Sequence, residues 1–214
     1  ICLGGCKKGS NETTITGEIK GLGTDTLYLY GMDELYDRID TIYVENDKFS
    51  YTTSVDTITS AYLLLKNRIE YPVFLDKGNK IKIKGDTINL NFLTISGNIY
   101  NEEFTDFQKA LEDPADPSEK AGEETVDKRI TVEKANTAEE MAEEFILQHH
   151  SSYVSLYLLD KYFVQKETPD FSKIKKLVEV MTGVLQDKPY IERLNETITQ
   201  AEKSEIGKYA PFFS

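Results

Sequence analysis

The two cysteines are the residues best suited to chemistry, and both lie in the first ten positions, ICLGGCKKGS. Three residues separate Cys2 from Cys6, one more than in the C-x-x-C spacing of thiol redox motifs. By spacing alone, the two could form a redox pair, bind a metal or begin a disulfide framework. A cytosolic protein with two unremarkable thiols is the plain alternative.

The only histidines, His149 and His150, are neighbours at the end of a predicted helix. Adjacent helical side chains point about 100° apart, so the two rings cannot readily bind one metal ion. His149 continues an apolar stripe, and we expect it to close the helix. No metal or catalytic role is predicted for either ring.

Paired acids are the next candidates, because two carboxylates can act as the acid and base of a glycosidase. Every pair lies on a predicted helix with its apolar stripe elsewhere, which is typical of a solvated face. Nothing singles out two of them, so a hydrolase is kept only as a residual hypothesis. The pairs are Glu102-Glu103, Glu123-Glu124, Glu139-Glu140 and Glu143-Glu144.

Short motifs add no catalytic or cofactor site. Gly21-x-Gly23 precedes a strand, whereas a phosphate-binding loop needs a helix N-terminus directly after it, so a turn is predicted there. The sequons at Asn11 and Asn195 are three-residue matches, and no G-x-S-x-G, H-E-x-x-H or Walker sequence occurs. We predict no cofactor, no metal ligand and no catalytic residue in this chain.

Residues 13–97 alternate apolar and polar side chains with the period of a strand. In DTLYLY, Leu27 and Leu29 are expected to point inward and Tyr28 and Tyr30 outward. Turn residues such as Asn46-Asp47 and Gly78 make the connections short, which favours antiparallel pairing. An antiparallel β-sandwich or open barrel of about eight strands follows. Its strands are predicted near 13–20, 25–30, 39–45, 48–54, 60–66, 71–75, 80–84 and 92–96.

Residues 98–206 have the three- and four-residue spacing of helices. Phe104, Phe107 and Leu111 mark the first helix, and Thr137 begins the second with a T-x-x-E capping box. SSYVSLYLL is predicted to be a buried helix, another is expected to start at Thr168-Pro169, and a last one follows Pro189. Strands first and helices afterwards make an α+β fold.

The overall charge restricts the partners. The 214 residues include 37 Asp and Glu against 25 Lys and Arg, a formal net charge of −12. A surface this acidic repels phosphate backbones, so nucleic acid is not an expected partner. No run of 18 apolar residues occurs, so no membrane-spanning segment is predicted in this sequence.

The residues around the two cysteines point to a different role for them. Leu3-Gly4-Gly5-Cys6 resembles a bacterial lipobox, and the polar KKGSNETT after it suits a tether. The resemblance implies that Cys2 is removed with a signal peptide and that Cys6 carries the lipid. Residues 1–12 would then be signal remnant, lipobox and tether, and the membrane would be a partner through the lipid on Cys6.

The C-terminal stretch EKSEIGKYAPFFS leaves the helical pattern. Gly207, Ala210, Pro211 and Phe213 resemble the segment that leads into thioredoxin-like modules of the peroxiredoxin and disulfide-reductase kind. Residues 207–214 would be the start of a linker to such a module.

A second resemblance lies in the order of four stretches along the chain. They are ITGEIKGLGTDTLYLYG, DTIYVENDKFSYTT, YPVFLDKGNKIKIKGD and ISGNIYNEEFTDFQ. Over about residues 13–110 the sequence is similar to an uncharacterised domain that precedes thioredoxin-like modules in Gram-negative envelope lipoproteins. The resemblance implies a periplasm-facing, lipid-anchored protein.

Two functional hypotheses follow. In the first, the chain is the non-catalytic N-terminal region of an envelope thiol-disulfide oxidoreductase. There it would space or orient the downstream module or bind its substrate, an envelope protein. In the second, it is a free-standing periplasmic module that binds a glycan or peptide through exposed tyrosines such as Tyr28 and Tyr30.

Overall fold

Eight strands form two four-stranded sheets, and five α-helices follow them in the described part of the chain. The structure is a computed structural model that describes residues 11–32, 35–65, 68–112 and 137–208. The predicted α+β class is confirmed, and the sheets form an open sandwich rather than a barrel.

The chain crosses between the two sheets after β1, β3, β4 and β6. Sheet 1 has the order β4-β1-β7-β8, and sheet 2 has the order β3-β2-β5-β6. The predicted alternation is confirmed in β2, where Leu27 and Leu29 are fully buried. The bounds are β1 Glu12–Lys20, β2 Asp25–Gly31, β3 Ile39–Val44, β4 Lys48–Ser54, β5 Thr59–Leu64, β6 Glu70–Leu75, β7 Lys80–Asp86 and β8 Thr94–Ser96.

One strand pair differs from the antiparallel expectation. Five of the pairs are antiparallel, but β1 and β7 run parallel, with Thr14 opposite Lys80. These two strands are not joined by a turn, because β2 to β6 lie between them in the chain. Their direction therefore depends on how the strands in between cross from sheet to sheet.

The predicted turn residues adopt the backbone that their types favour. Asn46 and Asp47, with φ of 50° and 69°, connect β3 to β4, and Gly78 has φ of 76°. Two consecutive residues in the left-handed region match a type I′ hairpin turn. The Asp47 carboxylate also accepts a hydrogen bond from Gly23 N at 2.6 Å, which ties this turn to the β1–β2 connection.

The helices agree with the prediction except at two ends. Thr137 and Glu140 form the expected capping box, and every residue of the third helix is buried. The fourth helix begins at Phe171 rather than at Thr168-Pro169, because the Asp170 side chain caps it by accepting from Lys173 N. The apolar spacing of Ile174, Val178, Met181 and Leu185 predicts that this helix continues to Leu185, but the helix ends at Val180. The bounds are α1 Ile99–Glu112, α2 Ala138–Gln148, α3 Tyr153–Leu159 with a π-helical turn Asp160–Val164, α4 Phe171–Val180 and α5 Pro189–Lys208.

Helix α1 closes one side of the sandwich, where β6 and β8 are the edge strands. The buried Asn101 amide accepts from Phe74 N at 3.0 Å and donates to Phe74 O at 2.8 Å. The Thr105 hydroxyl accepts from Ile95 N and donates to Ile95 O, both at 3.0 Å. Two side chains of one helix thus replace the missing neighbour of two strands.

A polar cluster lies between the two sheets on the opposite side, where β3 and β4 are the edge strands. Asp40 accepts hydrogen bonds from Tyr36 and, at 3.1 Å, from Arg38 Nε. Arg38 also donates to Thr53 and, at 3.0 Å, to Ser54 O on β4. The guanidinium therefore connects sheet 2 to sheet 1 across the open side.

One continuous core joins the sandwich to the helices. The buried Tyr157 of α3 packs edge-to-face on Phe104 of α1 at 5.2 Å, and on Tyr62 and Phe74 of sheet 2 at 6.3 and 6.5 Å. Such perpendicular pairs stabilise beyond the area that they bury. The helices therefore cover the β5–β6 half of the outer face of sheet 2.

Candidate functional site

The uncovered half of that outer face carries a row of exposed aromatic and apolar side chains. Tyr28 and Tyr30 lie there on β2, but only Tyr28 is exposed as predicted, because Tyr30 is half-buried against Tyr62. Strand β3 places Thr41 opposite Tyr28 and Ile39 opposite Tyr30. Tyr43 lies further along β3. We call this surface the tyrosine face and define it by Tyr28, Tyr30, Ile39, Thr41 and Tyr43.

Exposure distinguishes the tyrosine face from an ordinary strand surface. The exposed fraction is 73% for Tyr43, 72% for Ile39 and 41% for Tyr28. Large apolar side chains that lie together in solvent are typical of an interaction surface, whereas single ones are ordinary. The face therefore offers stacking and apolar contact to a ligand.

The sequence predicts this role for Tyr28 and Tyr30, but not for Ile39 and Tyr43. The signal was present, because IDTIYV alternates Ile39 and Tyr43 with Ile42 and Val44, which are buried. Two apolar sets on opposite faces of one strand cannot reveal which set the fold covers. That information comes only from the packing of the neighbouring elements.

Tyr30 connects the tyrosine face to an acidic junction between sheet 2 and the helices. We define this junction by the carboxylates of Glu70 and Asp160. The Tyr30 hydroxyl donates to Glu70 Oε1 at 2.5 Å, and the Tyr30 ring meets Tyr62 at 5.7 Å. Burial, together with the Glu70 carboxylate, raises the pKa of Tyr30. The hydroxyl therefore stays protonated and acts as a hydrogen-bond donor, not as a nucleophile.

The Tyr62 hydroxyl lies within the field of two carboxylates, Glu70 and Asp160. Burial is the main cause that raises the pKa of Tyr62, and the charges of Asp160 and Glu70 add to it. Asp160 accepts from Tyr190 at 2.6 Å and from Gln165 at 2.5 Å. Neither carboxylate takes part in an ion pair within the described ranges.

The lysine at this junction, Lys161, packs against aromatic rings of the helical region. Lys161 lies over the rings of Tyr157 and Tyr162, with Nζ at 5.6 and 5.5 Å from their centres. Burial lowers the pKa of Lys161. This arrangement suits binding by aromatic and carboxylate groups, and it contains no nucleophile next to a base.

The two histidines have separate structural partners. The His149 ring stacks on Phe145 at 4.2 Å, and its backbone N–H bonds Phe145 O at 2.8 Å, so it closes α2 as predicted. His149 Nδ1 also lies 3.5 Å from Glu103. His150 instead pairs Nδ1 with Thr182 Oγ1 at 3.0 Å.

The paired acids are dispersed among capping and ion-pair roles. On α2, Glu143 pairs with Lys173 at 2.7 Å, and Glu139 contacts Lys166 and Lys173. Glu123-Glu124 lies outside the described residues. Among the residues that the structure describes, no group of three His, Cys, Asp or Glu side chains could hold a metal ion.

The other candidates from the sequence are the Gly21-x-Gly23 turn, the two cysteines and the C-terminal stretch. Gly21 and Gly23, with φ of 79° and 72°, lie in the predicted turn between β1 and β2. Cys2 and Cys6 lie outside the described residues, and so does the stretch 209–214 with Ala210, Pro211 and Phe213. Helix α5 extends through Gly207 to Lys208.

The comparisons with known proteins identify one domain. Residues 13–104 match a family model described as DUF4369, a domain of unknown function. The match spans all eight strands and ends within α1. None of the curated proteins compared with the chain matches it. No helix in the described ranges is both long and apolar enough to cross a membrane.

Proposed function

We propose that the chain is the non-catalytic N-terminal region of a lipid-anchored envelope thiol-disulfide oxidoreductase. In this role the tyrosine face binds the polypeptide substrate of a thioredoxin-like module encoded after Ser214. The observation that carries the binding role is the exposure of Ile39 and Tyr43, at 72% and 73%, on a rigid sheet. A binding face built on regular strands holds its side chains in fixed positions.

The two ends of the sequence support the rest of the proposal. Leu3-Gly4-Gly5-Cys6 resembles a lipobox, and the stretch from Gly207 to Phe213 resembles the segment before thioredoxin-like modules. A lipid-modified Cys6 with two or more acyl chains would anchor stably, since each buried methylene contributes about 0.8 kcal/mol. The protein would then face the periplasm of a Gram-negative envelope.

Kinetics of the full-length protein test the substrate-binding role. Ile39→Ser combined with Tyr43→Ser is expected to raise KM for a disulfide-bonded unfolded polypeptide by about tenfold. The same double variant should leave reduction of a small-molecule disulfide unchanged, because that substrate reaches only the thioredoxin-like module. Ile88→Ser, on a side chain that is 92% exposed in the β7–β8 connection, is the matched control.

An open reading frame that stops at Ser214, or continues without a C-x-x-C, would contradict the oxidoreductase assignment. Equal KM values for the double variant and the Ile88 control would contradict the binding role of the tyrosine face.

Metabolic labelling with a radioactive fatty acid tests the anchor. The full-length precursor and its Cys2→Ser variant should incorporate label, whereas Cys6→Ser should not. Label on both variants or on neither would refute lipidation at Cys6 and with it the proposed localisation.

A free-standing module that binds a glycan or peptide is the second candidate, and the same tyrosine face favours it. Tyrosine rings can stack on sugars or peptide side chains, with the hydroxyl available for hydrogen bonds. Binding on a glycan or peptide array, together with a gene that ends at Ser214, would select this candidate over the first.

A further inference from the structure

Strand β3 has an open hydrogen-bonding edge. It pairs with β2 on one side, and on the other side β4 meets it only at the turn, through the Glu45–Lys48 bridge. Within the described ranges, no side chain donates to or accepts from the backbone of residues 39–44 on that open side. Unpaired strand edges are templates for another extended chain.

The edge strands on the far side of the sandwich, β6 and β8, are covered by α1. Asn101 satisfies Phe74 of β6, and Thr105 satisfies Ile95 of β8. The remaining edge strand, β4, exposes only polar side chains and a lysine, namely Lys48, Ser50, Thr52 and Ser54. Lysine and short polar residues are the usual protection of an edge. Strand β3 has no lysine, and its exposed side chains are Ile39, Tyr43 and a single short polar residue, Thr41.

The side chains next to the open edge are apolar. Ile39 and Tyr43 lie on the outer face of β3, with Thr41 between them. A strand that paired with β3 would place every second side chain beside these residues, because alternate residues of neighbouring strands share a face. The open edge and the tyrosine face therefore form one continuous binding surface.

The charges around this surface select a cationic partner. Glu45 is exposed beyond Tyr43, Glu70 lies beside Tyr30, and no Lys or Arg is among the outer-face positions of sheet 2 that the structure describes. Two cations lie next to β3: Arg38 is held by Asp40 and Ser54 O, and Lys48 lies opposite Glu45 in the bridge at the turn. The formal charge of −12 makes two copies repel each other, which disfavours β3 pairing with its own copy.

We propose that β3 binds an extended polypeptide segment that carries Lys or Arg, by adding it as a fifth strand to sheet 2. Backbone hydrogen bonds to residues 39–44 supply affinity, and contacts with Ile39 and Tyr43 add to it. Cations of the segment lie over the exposed tyrosine rings and near Glu45 and Glu70. That the segment belongs to a substrate of the oxidoreductase rests on the proposed function. The binding itself does not require a downstream module.

Fluorescence anisotropy of this chain with labelled peptides tests the inference. The probe is a peptide of alternating valine and lysine, about eight residues long, so that it spans the six residues of β3. We expect saturable binding that weakens with salt. A peptide of alternating valine and glutamate should bind at least about tenfold more weakly, because its charges meet those of Glu45 and Glu70.

Two further probes separate strand addition from other modes of binding. N-methylation of every second residue of the lysine peptide, in either register, removes the backbone donors on one side while it keeps charge and side chains. Methylation in one of the two registers should abolish binding. Ile39→Ser with Tyr43→Ser should weaken it by about tenfold, and Ile88→Ser should leave it unchanged.

Equal binding of the methylated peptides, equal binding of the acidic peptide, or no binding of any peptide would each overturn the proposal. So would a stable dimer, detected by light scattering, that dissociates in the Ile39→Ser/Tyr43→Ser variant, because a second copy would then occupy β3. None of these outcomes depends on the presence of a thioredoxin-like module, so they are distinguishable from failure of the proposed function.

Discussion

At the scale of single residues, Asp40 shows how one carboxylate organises the polar cluster between β3 and β4. Burial opposes its ionisation, but hydrogen bonds from Tyr36, Tyr51 and Arg38 outweigh burial and lower the pKa of Asp40. Burial and the bond to Asp40 also raise the pKa of Tyr36 to about 12. The cluster therefore remains an ionised carboxylate with protonated donors over the ordinary pH range.

Replacing this carboxylate should cost stability in a pH-dependent way. Asp40→Asn is expected to lower the free energy of unfolding at pH 7 by about 1.5–3 kcal/mol, since hydrogen bonds to a charged acceptor are lost. A lowered folded pKa means that this contribution is present above the unfolded pKa, about 3.9, and disappears as pH falls through the folded pKa. Urea titrations at pH 7 and in acid measure the difference.

Asp37→Asn is the control for this prediction, because Asp37 is exposed and lies three residues before Asp40, in the loop that leads into β3. Its stability should stay within about 0.5 kcal/mol of the wild type. A loss of stability in Asp40→Asn that is the same at both pH values would show that the charge of Asp40 contributes nothing.

At the scale of elements, α1 acts as a substitute strand. Asn101→Ala is expected to lower the free energy of unfolding by about 1–3 kcal/mol, because the buried Phe74 N would lose its acceptor, whereas Phe74 O keeps Asn98 Nδ2 as a donor. Asn89→Ala is the matched control, since its amide donates to Glu112 at the surface. Chemical denaturation measures both, and equal small effects would contradict the sealing role of α1.

The capping box of α2 offers a second prediction at this scale. Thr137→Ala removes the side chain that accepts from Glu140 N, and we expect a loss of about 1 kcal/mol. Ser172→Ala, at an exposed position in the first turn of α4, should change stability by less than about 0.5 kcal/mol. Thermal unfolding of the two variants decides, and a Thr137 variant as stable as the control would refute the cap.

At the scale of the whole molecule, the shared aromatic core predicts that strands and helices unfold together. Tyr157→Ala should lower the free energy of unfolding by about 3–5 kcal/mol, as buried aromatic truncations do. The wild type and this variant should each show one transition, which coincides by far-UV circular dichroism and tyrosine fluorescence. Separate transitions for the two signals would show that the sandwich and the helices are independent.

Tyr43→Ala is the control for this prediction, because the Tyr43 ring is 73% exposed and does not contribute to the core. Its unfolding midpoint should stay close to that of the wild type. The two variants thus compare Tyr157, which packs in the core shared by strands and helices, with Tyr43, which lies in solvent.

Much of the architecture could be predicted from local patterns. The eight strands, the Asn46-Asp47 turn and the capping box at Thr137 all follow from alternation, backbone preference and hydrogen bonding between near neighbours. The candidate site was predicted in part, through Tyr28 and Tyr30. Asn101 and Thr105 carried no recognisable signal, because a polar residue on a helix looks the same whether it meets water or a strand edge.

The sequence by itself determined which residues form strands, turns and helices, because those preferences act over a few residues along the chain. Only the tertiary structure decided that β1 and β7 run parallel, that α1 seals β6 and β8, and that Ile39 and Tyr43 stay in solvent. Each of these outcomes depends on which distant elements meet. The helices pack on the β5–β6 half of sheet 2, and the tyrosine face on the other half is therefore left open.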